Sequence, residues 1–192
     1  MTRIVKYPHP ALRYESTPVT RIDEAFRTLV RSMFDAMYEA KGIGLAANQV
    51  AIPKRFFILN LTADPEKRDQ ELVFINPTIV KRHGQVEDEE GCLSFPGVYG
   101  NVRRAKKIKV KAFNLAGVEV EFEADELFGR AIQHETDHLE KRLFIDWIDP
   151  AAMKGLAPKV RELELEFRQA QSAGLLPSDA DLMKQLDQLA RD

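Results

Sequence analysis

The sequence predicts an α+β fold: antiparallel β-sheets packed around a central helix, with another helix near the N-terminus and a helical extension at the C-terminus. Three observations predict it. Residues 107–123 alternate with period two, residues 56–61 and 72–80 are rich in β-branched and aromatic side chains, and apolar residues recur at helical spacing before and after these strands. The 192 residues carry 28 Lys+Arg against 30 Asp+Glu, a formal charge of −2, so no global charge draws the chain to nucleic acid or anionic lipid. A composition 44% hydrophobic and 30% charged excludes disorder and a collagen-like fibre.

Prolines 8, 10 and 18 favour extended or turn structure over the first twenty residues. Asp23 is an N-cap candidate for the first helix, which Phe26, Leu29, Val30, Met33 and Met37 make amphipathic and which Gly42 is placed to end. Residues 62–70 form a polar loop between the first two strands. In the alternating segment, Ile108, Val110, Ala112, Val118, Val120 and Phe122 form one face of a hairpin, and lysines face glutamates on the other. Six of the nine residues 103–111 are basic; an RNA or acidic-partner patch is one reading, and a solvated face paired with glutamates is the favoured one. Asp125 opens a helix running to about Glu140. Further helices are predicted over 159–173 and, after a break at 174–177 and the cap candidate Ser178, over a short piece carrying Leu182, Leu186 and Leu189. Residues 1–173 are read as one domain and 174–192 as a C-terminal helical extension.

The single cysteine, Cys92, has no disulfide partner within the chain, no run approaches the roughly 18 apolar residues of a membrane span, and the first ten residues lack a secretory apolar core. A cytoplasmic protein, mature from its first residues, is expected.

Chemistry concentrates on the helix over 125–140, where His134, Glu135 and His138 stand as His-Glu-Thr-Asp-His. At 3.6 residues per turn the two histidines lie about 40° apart, one turn above the other, and reach one metal ion. Glu135 lies beside them, placed to take a proton from metal-bound water and return it to a leaving group. Chance yields roughly 0.007 such motifs in a chain of this composition. The trio also interrupts an apolar surface of Leu127, Ala131, Phe128, Ile132 and Leu139, where buried imidazoles need a partner. A catalytic tetrahedral site requires a third protein ligand. Glu162 would make a His₂Glu zinc peptidase, but it sits among charges on a solvated helix face. Cys92, in the irregular stretch Glu90-Gly91-Cys92-Leu93-Ser94, is the favoured ligand. A third segment, Gly42-Ile43-Gly44-Leu45-Ala46-Ala47-Asn48-Gln49, matches a dinucleotide fingerprint but follows a helix rather than a strand, so it reads instead as main chain open to a ligand and ending in an amide. A non-catalytic RNA- or ribosome-binding module with a structural metal is the reading from another class; it requires a fourth ligand, and no convincing one is found.

Together, Gly42-Ile43-Gly44-Leu45-Ala46-Ala47-Asn48-Gln49, Glu90-Gly91-Cys92-Leu93-Ser94 and Gln133-His134-Glu135-Thr136-Asp137-His138 resemble, in order and spacing, the three signature motifs of the peptide deformylase family; Ile4-Val5-Lys6-Tyr7-Pro8 is similar to its N-terminus. The likeness runs from about Ile4 to Phe167. It implies a metal-dependent hydrolase of the bacterial type that removes the formyl group from N-formylmethionyl nascent peptides and releases formate. The resemblance makes Cys92, His134 and His138 ligands of Fe(II), with zinc, nickel or cobalt able to substitute. It makes Glu135 the acid–base residue and the Gln49 amide and Leu93 N–H the oxyanion donors. By the same likeness, substrate lies against Ile43, Gly44 and Gly91, with methionine in a pocket of Ile43, Leu127 and Ala131 and with Arg130 at the rim. Helical spacing independently sets Leu127 and Ala131 on the histidine stripe. Where the family often places a basic residue after Pro96, this chain has Gly97-Val98-Tyr99. Ribosome docking stays open, because residues 150–192 hold six basic and seven acidic side chains and so no basic footprint. Asp137 is expected to orient a group behind the ligands, and His9 and His83 to be structural or surface residues.

Overall fold

The computed structural model describes residues 2–191; Met1 and Asp192, the outer ends of the two predicted segments, lie outside the described residues. A five-stranded antiparallel sheet runs in the order β1 (Gly44–Ala46), β2 (Phe56–Leu59), β3 (Leu72–His83), β6 (Lys107–Phe113) and β7 (Glu119–Asp125). A separate hairpin pairs β4 (Val86–Gly91) with β5 (Tyr99–Arg104). Helix α1 (Glu24–Glu39) covers one face of the large sheet and α2 (Glu126–Leu139) the other. All four β2 residues are therefore buried: Phe56 and Ile58 meet Val30, Met33, Phe34 and Met37, whereas Phe57 and Leu59 meet Ala131, Ile132 and Leu139.

Asp23 caps α1, its carboxylate accepting the Phe26 N–H at 2.9 Å. The helix stops before Gly42. Lys41 takes the left-handed φ of 56°, and the Gly42 N–H bonds back to the Met37 carbonyl. The strand predicted over 72–80 continues to His83 through two register shifts. On the β6–β7 hairpin, Lys107 pairs with Glu123 at 2.6 Å, and Lys109 and Lys111 both pair with Glu121. The favoured solvated-face reading holds for these lysines. Arg104 departs from it, because it is buried.

The sequence reading did not delineate β1, which lies buried within the segment read as open main chain, or the β4–β5 hairpin. Its strands present almost no apolar face: only Glu90, Val102 and Arg104 are buried, so period-two hydrophobicity is absent. Helix α3 (Pro150–Ser172) begins nine residues before the expected start at 159. Asp149 caps it, accepting the Ala151 N–H at 2.8 Å, and Pro150 occupies the first turn. Gly155 and Pro158 read as breakers, yet burial of Val160, Leu163 and Phe167 keeps the helix continuous. Gly174, at φ 72°, ends it where a break was expected.

The C-terminal segment folds back onto the body. Helix α4 (Asp179–Arg191) is capped by Ser178, buries Leu182 and Leu186, and lies against the 3₁₀ turn Pro10–Arg13. The Tyr14 hydroxyl donates to Asp187 at 2.7 Å, and Lys54 donates to the Ala190 carbonyl. Among the described residues no helix is long and apolar enough to cross a membrane. Leu186→Ala is expected to cost about 2–3 kcal/mol, lowering Tm by about 6 °C; an unchanged melt would show that α4 contributes nothing to stability.

Candidate metal centre

Helix α2 lies between the large sheet and the β4–β5 hairpin, and it projects His134 and His138 toward the segment after β4 that carries Cys92. The ligand atoms of Cys92, His134 and His138 lie within 4.8 Å of one another. Cys92 Sγ is 3.4 Å from His138 Nε2. Glu162, the rival third ligand, is exposed on α3 and outside this group, which removes the His₂Glu arrangement.

A buried charge network sits behind the cluster. The Glu90 carboxylate, 5% exposed, accepts two hydrogen bonds from Arg104 at 2.9 Å, one from Arg130 at 2.7 Å, and lies 3.0 Å from His134 Nδ1. Burial opposes ionisation of Glu90, but its bonds to His134 and Arg104 hold the carboxyl well below the usual range. A carboxylate at Nδ1 fixes that nitrogen as the donor and leaves Nε2 with a free lone pair for a cation. Asp137 extends the network, accepting from Arg104 and from the Trp147 indole at 2.8 Å. Asp137 thus acts through Arg104 and Glu90.

Desolvation resists charging either ring, yet contact with Cys92 and Glu90 raises the His134 pKa well above normal, while burial and His134 hold His138 well below. Three converging donors of soft and borderline character fit a transition-metal cation.

Glu135 points into the same space. It is 5% exposed, its Oε2 is buried with no hydrogen-bond partner, and burial pushes its carboxyl up to about 7, opposed by His134 and reinforced by Glu90. A carboxyl near neutrality can both accept and return a proton. Gly44 is required beside it, since a Cβ there would stand 2.5 Å from Glu135 Oε1 and 2.7 Å from Leu59 Cδ2. Gln49 is oriented from both ends: its Oε1 accepts the Ala46 N–H at 2.8 Å, and its Nε2 donates toward Cys92 Sγ at 3.4 Å and Ser94 Oγ at 3.3 Å. The N-terminal stretch ties the two loops together, because the Val5 N–H bonds the Gln49 carbonyl and the Tyr7 N–H bonds that of Ser94.

These groups open onto a cavity of about 720 Å³ lined by Ile43, Gly44, Gln49, Gly91, Leu93, Leu127, Arg130, Ala131, His134 and Glu135. Leu127 is half-exposed and Ala131 buried. Arg130, expected at the rim, is instead 8% exposed and held by Glu90 and the Val102 and Val86 carbonyls. A guanidinium can be buried there because those acceptors replace water. Tyr99, not identified from sequence, stands over Gly91, where a Cβ would come within 2.6 Å of its ring. Arg104 and Trp147 were missed as well; Arg104 was hidden within the basic run. His9 is structural, its Nδ1 accepting the Ala11 N–H, and His83 is exposed.

Comparison with known proteins agrees with this geometry. Residues 1–154 match the family described as Polypeptide deformylase. A peptide deformylase of Rhodopirellula baltica is 38% identical over 95% of this chain and 90% of its own length. One from Acidobacterium capsulatum is 45% identical over 84% of this chain and 94% of its own. A crystal structure of peptide deformylase from Plasmodium falciparum superposes with a TM-score of 0.84 at 41% identity, covering 86% of this chain and 97% of that one.

Glu90→Gln is expected to destabilise the fold by about 3–5 kcal/mol and to weaken cobalt or zinc binding about 10–100-fold. Competition against a chromophoric chelator reads the second effect; undiminished affinity would show that His134 needs no carboxylate behind it.

Proposed function

The chain belongs to the polypeptide deformylase family and is a metal-dependent hydrolase that removes the formyl group from nascent peptides, and from that premise we propose the residues that perform the reaction. The observation that carries the assignment is the convergence of Cys92, His134 and His138 beside a buried, unpartnered Glu135 oxygen.

In this assignment Cys92, His134 and His138 hold the cation. When bound, it supplies Lewis-acid polarisation of the formyl carbonyl and lowers the pKa of water. Glu135 takes the proton of the attacking water at its carboxylate and delivers it to the departing amine. Its burial matches the role, since a carboxyl at about 7 is poised for both transfers. The Gln49 Nε2–H₂ and the Leu93 N–H donate to the developing oxyanion. The Oε1 anchor at the Ala46 N–H fixes the amide plane, so Nε2 need only exchange its long contact to Cys92 Sγ for the oxyanion. The peptide backbone lies against Ile43, Gly44 and Gly91, which line the cavity. Leu127 and Ala131 receive the methionine side chain of an N-formylmethionyl peptide, and Arg130 supports the wall through Glu90.

The resident metal in this reading is Fe(II), with zinc, nickel or cobalt able to occupy the same donors. A thiolate-bound ferrous ion requires reducing surroundings, which supports a cytoplasmic location where nascent chains are met. Residues 1–173 form the catalytic domain, and 174–191 form an extension stapled to its N-terminal turn.

The experiment is formate release from an N-formylmethionyl peptide by protein purified without oxygen, with the acetylated peptide as control. Glu135→Gln is expected to retain its metal and lose about 10²–10⁴ in kcat; retained activity removes Glu135 from its role. Gln49→Leu is expected to lose about 10²–10³ in kcat. Cys92→Ser with normal metal content would reject the triad.

A further inference from the structure

The cavity extends beyond the catalytic groups to a lip at Pro96, Gly97 and Tyr99, and helix α3 is held close beside that lip. Val160 and Leu163 are buried in one apolar cluster with Val98 and Val102. Gly100 lets the helix approach, since a Cβ there would stand 2.5 Å from Ile148 Cδ1 and 3.2 Å from Leu156 Cδ1. One position before the anchored Val160 is Lys159, exposed. Its ammonium lies over Gly97, where a Cβ would come within 2.8 Å of Nζ and 3.1 Å of Cε; Gly97 itself has φ 70°. Two features of the sequence thus meet in space: a lip residue without a side chain and a cation supplied from a distant helix.

That cation is free. Lys107, Lys109 and Lys111 are each matched to a glutamate on the neighbouring strand, whereas Lys159 makes no ion pair among the described residues, Glu162 one turn along its own helix included. The remaining ionisable groups of the cavity divide into two sets. Glu90, Arg130, His134 and Glu135 are enclosed at its base, and Lys41 and Glu89 are exposed on its walls. Around the lip the walls are otherwise apolar, with Tyr99 and Leu127 more than half exposed.

We propose that Lys159 is a specificity residue of the formyl-peptide site, reaching over Gly97 to favour substrates with a carboxylate side chain at the third or fourth residue. The inference rests on the deformylase reading for the path of the peptide and adds a charge preference to it. An exposed ion pair contributes about 0.2–1 kcal/mol and is screened by salt, so it acts on binding and leaves the chemical step alone.

The test uses formyl-Met pentapeptide amides carrying Glu, Gln or Lys at position three or four, assayed for formate at low ionic strength. Expected is a KM about threefold lower for Glu than for Gln at one of these positions, higher still for Lys, with kcat unchanged. The difference should vanish in Lys159→Met, reverse in Lys159→Glu and fade in 0.5 M salt. Equal KM for Glu and Gln peptides, or a preference that persists in Lys159→Met, overturns the proposal. Formate release from none of the peptides would instead overturn the activity on which it rests.

Discussion

One buried carboxylate organises this structure. Glu90 sits at the end of β4 with its charge shared by Arg104, Arg130 and His134. These contacts bind three separate pieces of chain, the end of β5, the middle of α2 and the strand leading to Cys92, into one rigid block. Removing Glu90 leaves Arg104 and Arg130 with Asp137 alone as counter-charge in a dry environment, which is far costlier than losing an exposed pair. The geometry of the cation ligands is therefore inherited from an ionic framework, with the apolar cores on either side holding that framework in place. Trp147 closes the far end of the chain of contacts by donating to Asp137, so a surface aromatic residue is mechanically connected to the ligand His134.

Much of this was legible in the sequence because it depends on spacing within one element. Two histidines four apart on a helix share a face whatever the fold does, and their apolar surroundings signal burial. The interleaved lysines and glutamates at 107–123 give both the hairpin and its ion pairs. What was not legible depends on pairing across elements. The β4–β5 hairpin is polar on nearly every exposed position, so its strands carry no periodic signal. Arg104 sits amid basic residues and differs from them only in meeting Glu90 and Asp137 in three dimensions. The family resemblance put Arg130 at the rim, and nothing in the helix pattern says that the carbonyls of Val86 and Val102 are brought to it. The length of α3 was underestimated for a related reason: Gly155 and Pro158 lower local propensity, and tertiary burial outweighs them.

The site also shows why the motif segments contain so many small residues. At Gly42 a Cβ would meet Leu93 at 2.6 Å, at Gly44 it would meet Glu135, and at Gly91 it would meet Tyr99. In each case the vacancy is filled by a side chain that shapes the cavity. The glycines and the larger residues opposite them are thus one packing solution, and a substitution at either half must displace the other.

Selectivity then has few places from which to act. The base of the cavity gathers Cys92 and the enclosed side chains of Glu90, Arg130, His134 and Glu135, which the proposed assignment commits to a cation and a proton. The middle is mostly backbone and apolar surface, with Lys41 and Glu89 exposed on its walls. The lip can carry a charge preference at little structural cost, because an exposed side chain there is not part of the buried ionic framework. A lysine supplied from α3 is well placed for this, since its helix is anchored by Val160 and Leu163 while its ammonium is exposed over Gly97. The same separation allows the lip to change without disturbing the metal ligands: sequence preference can vary at Gly97 and Lys159 while Glu90 continues to fix His134.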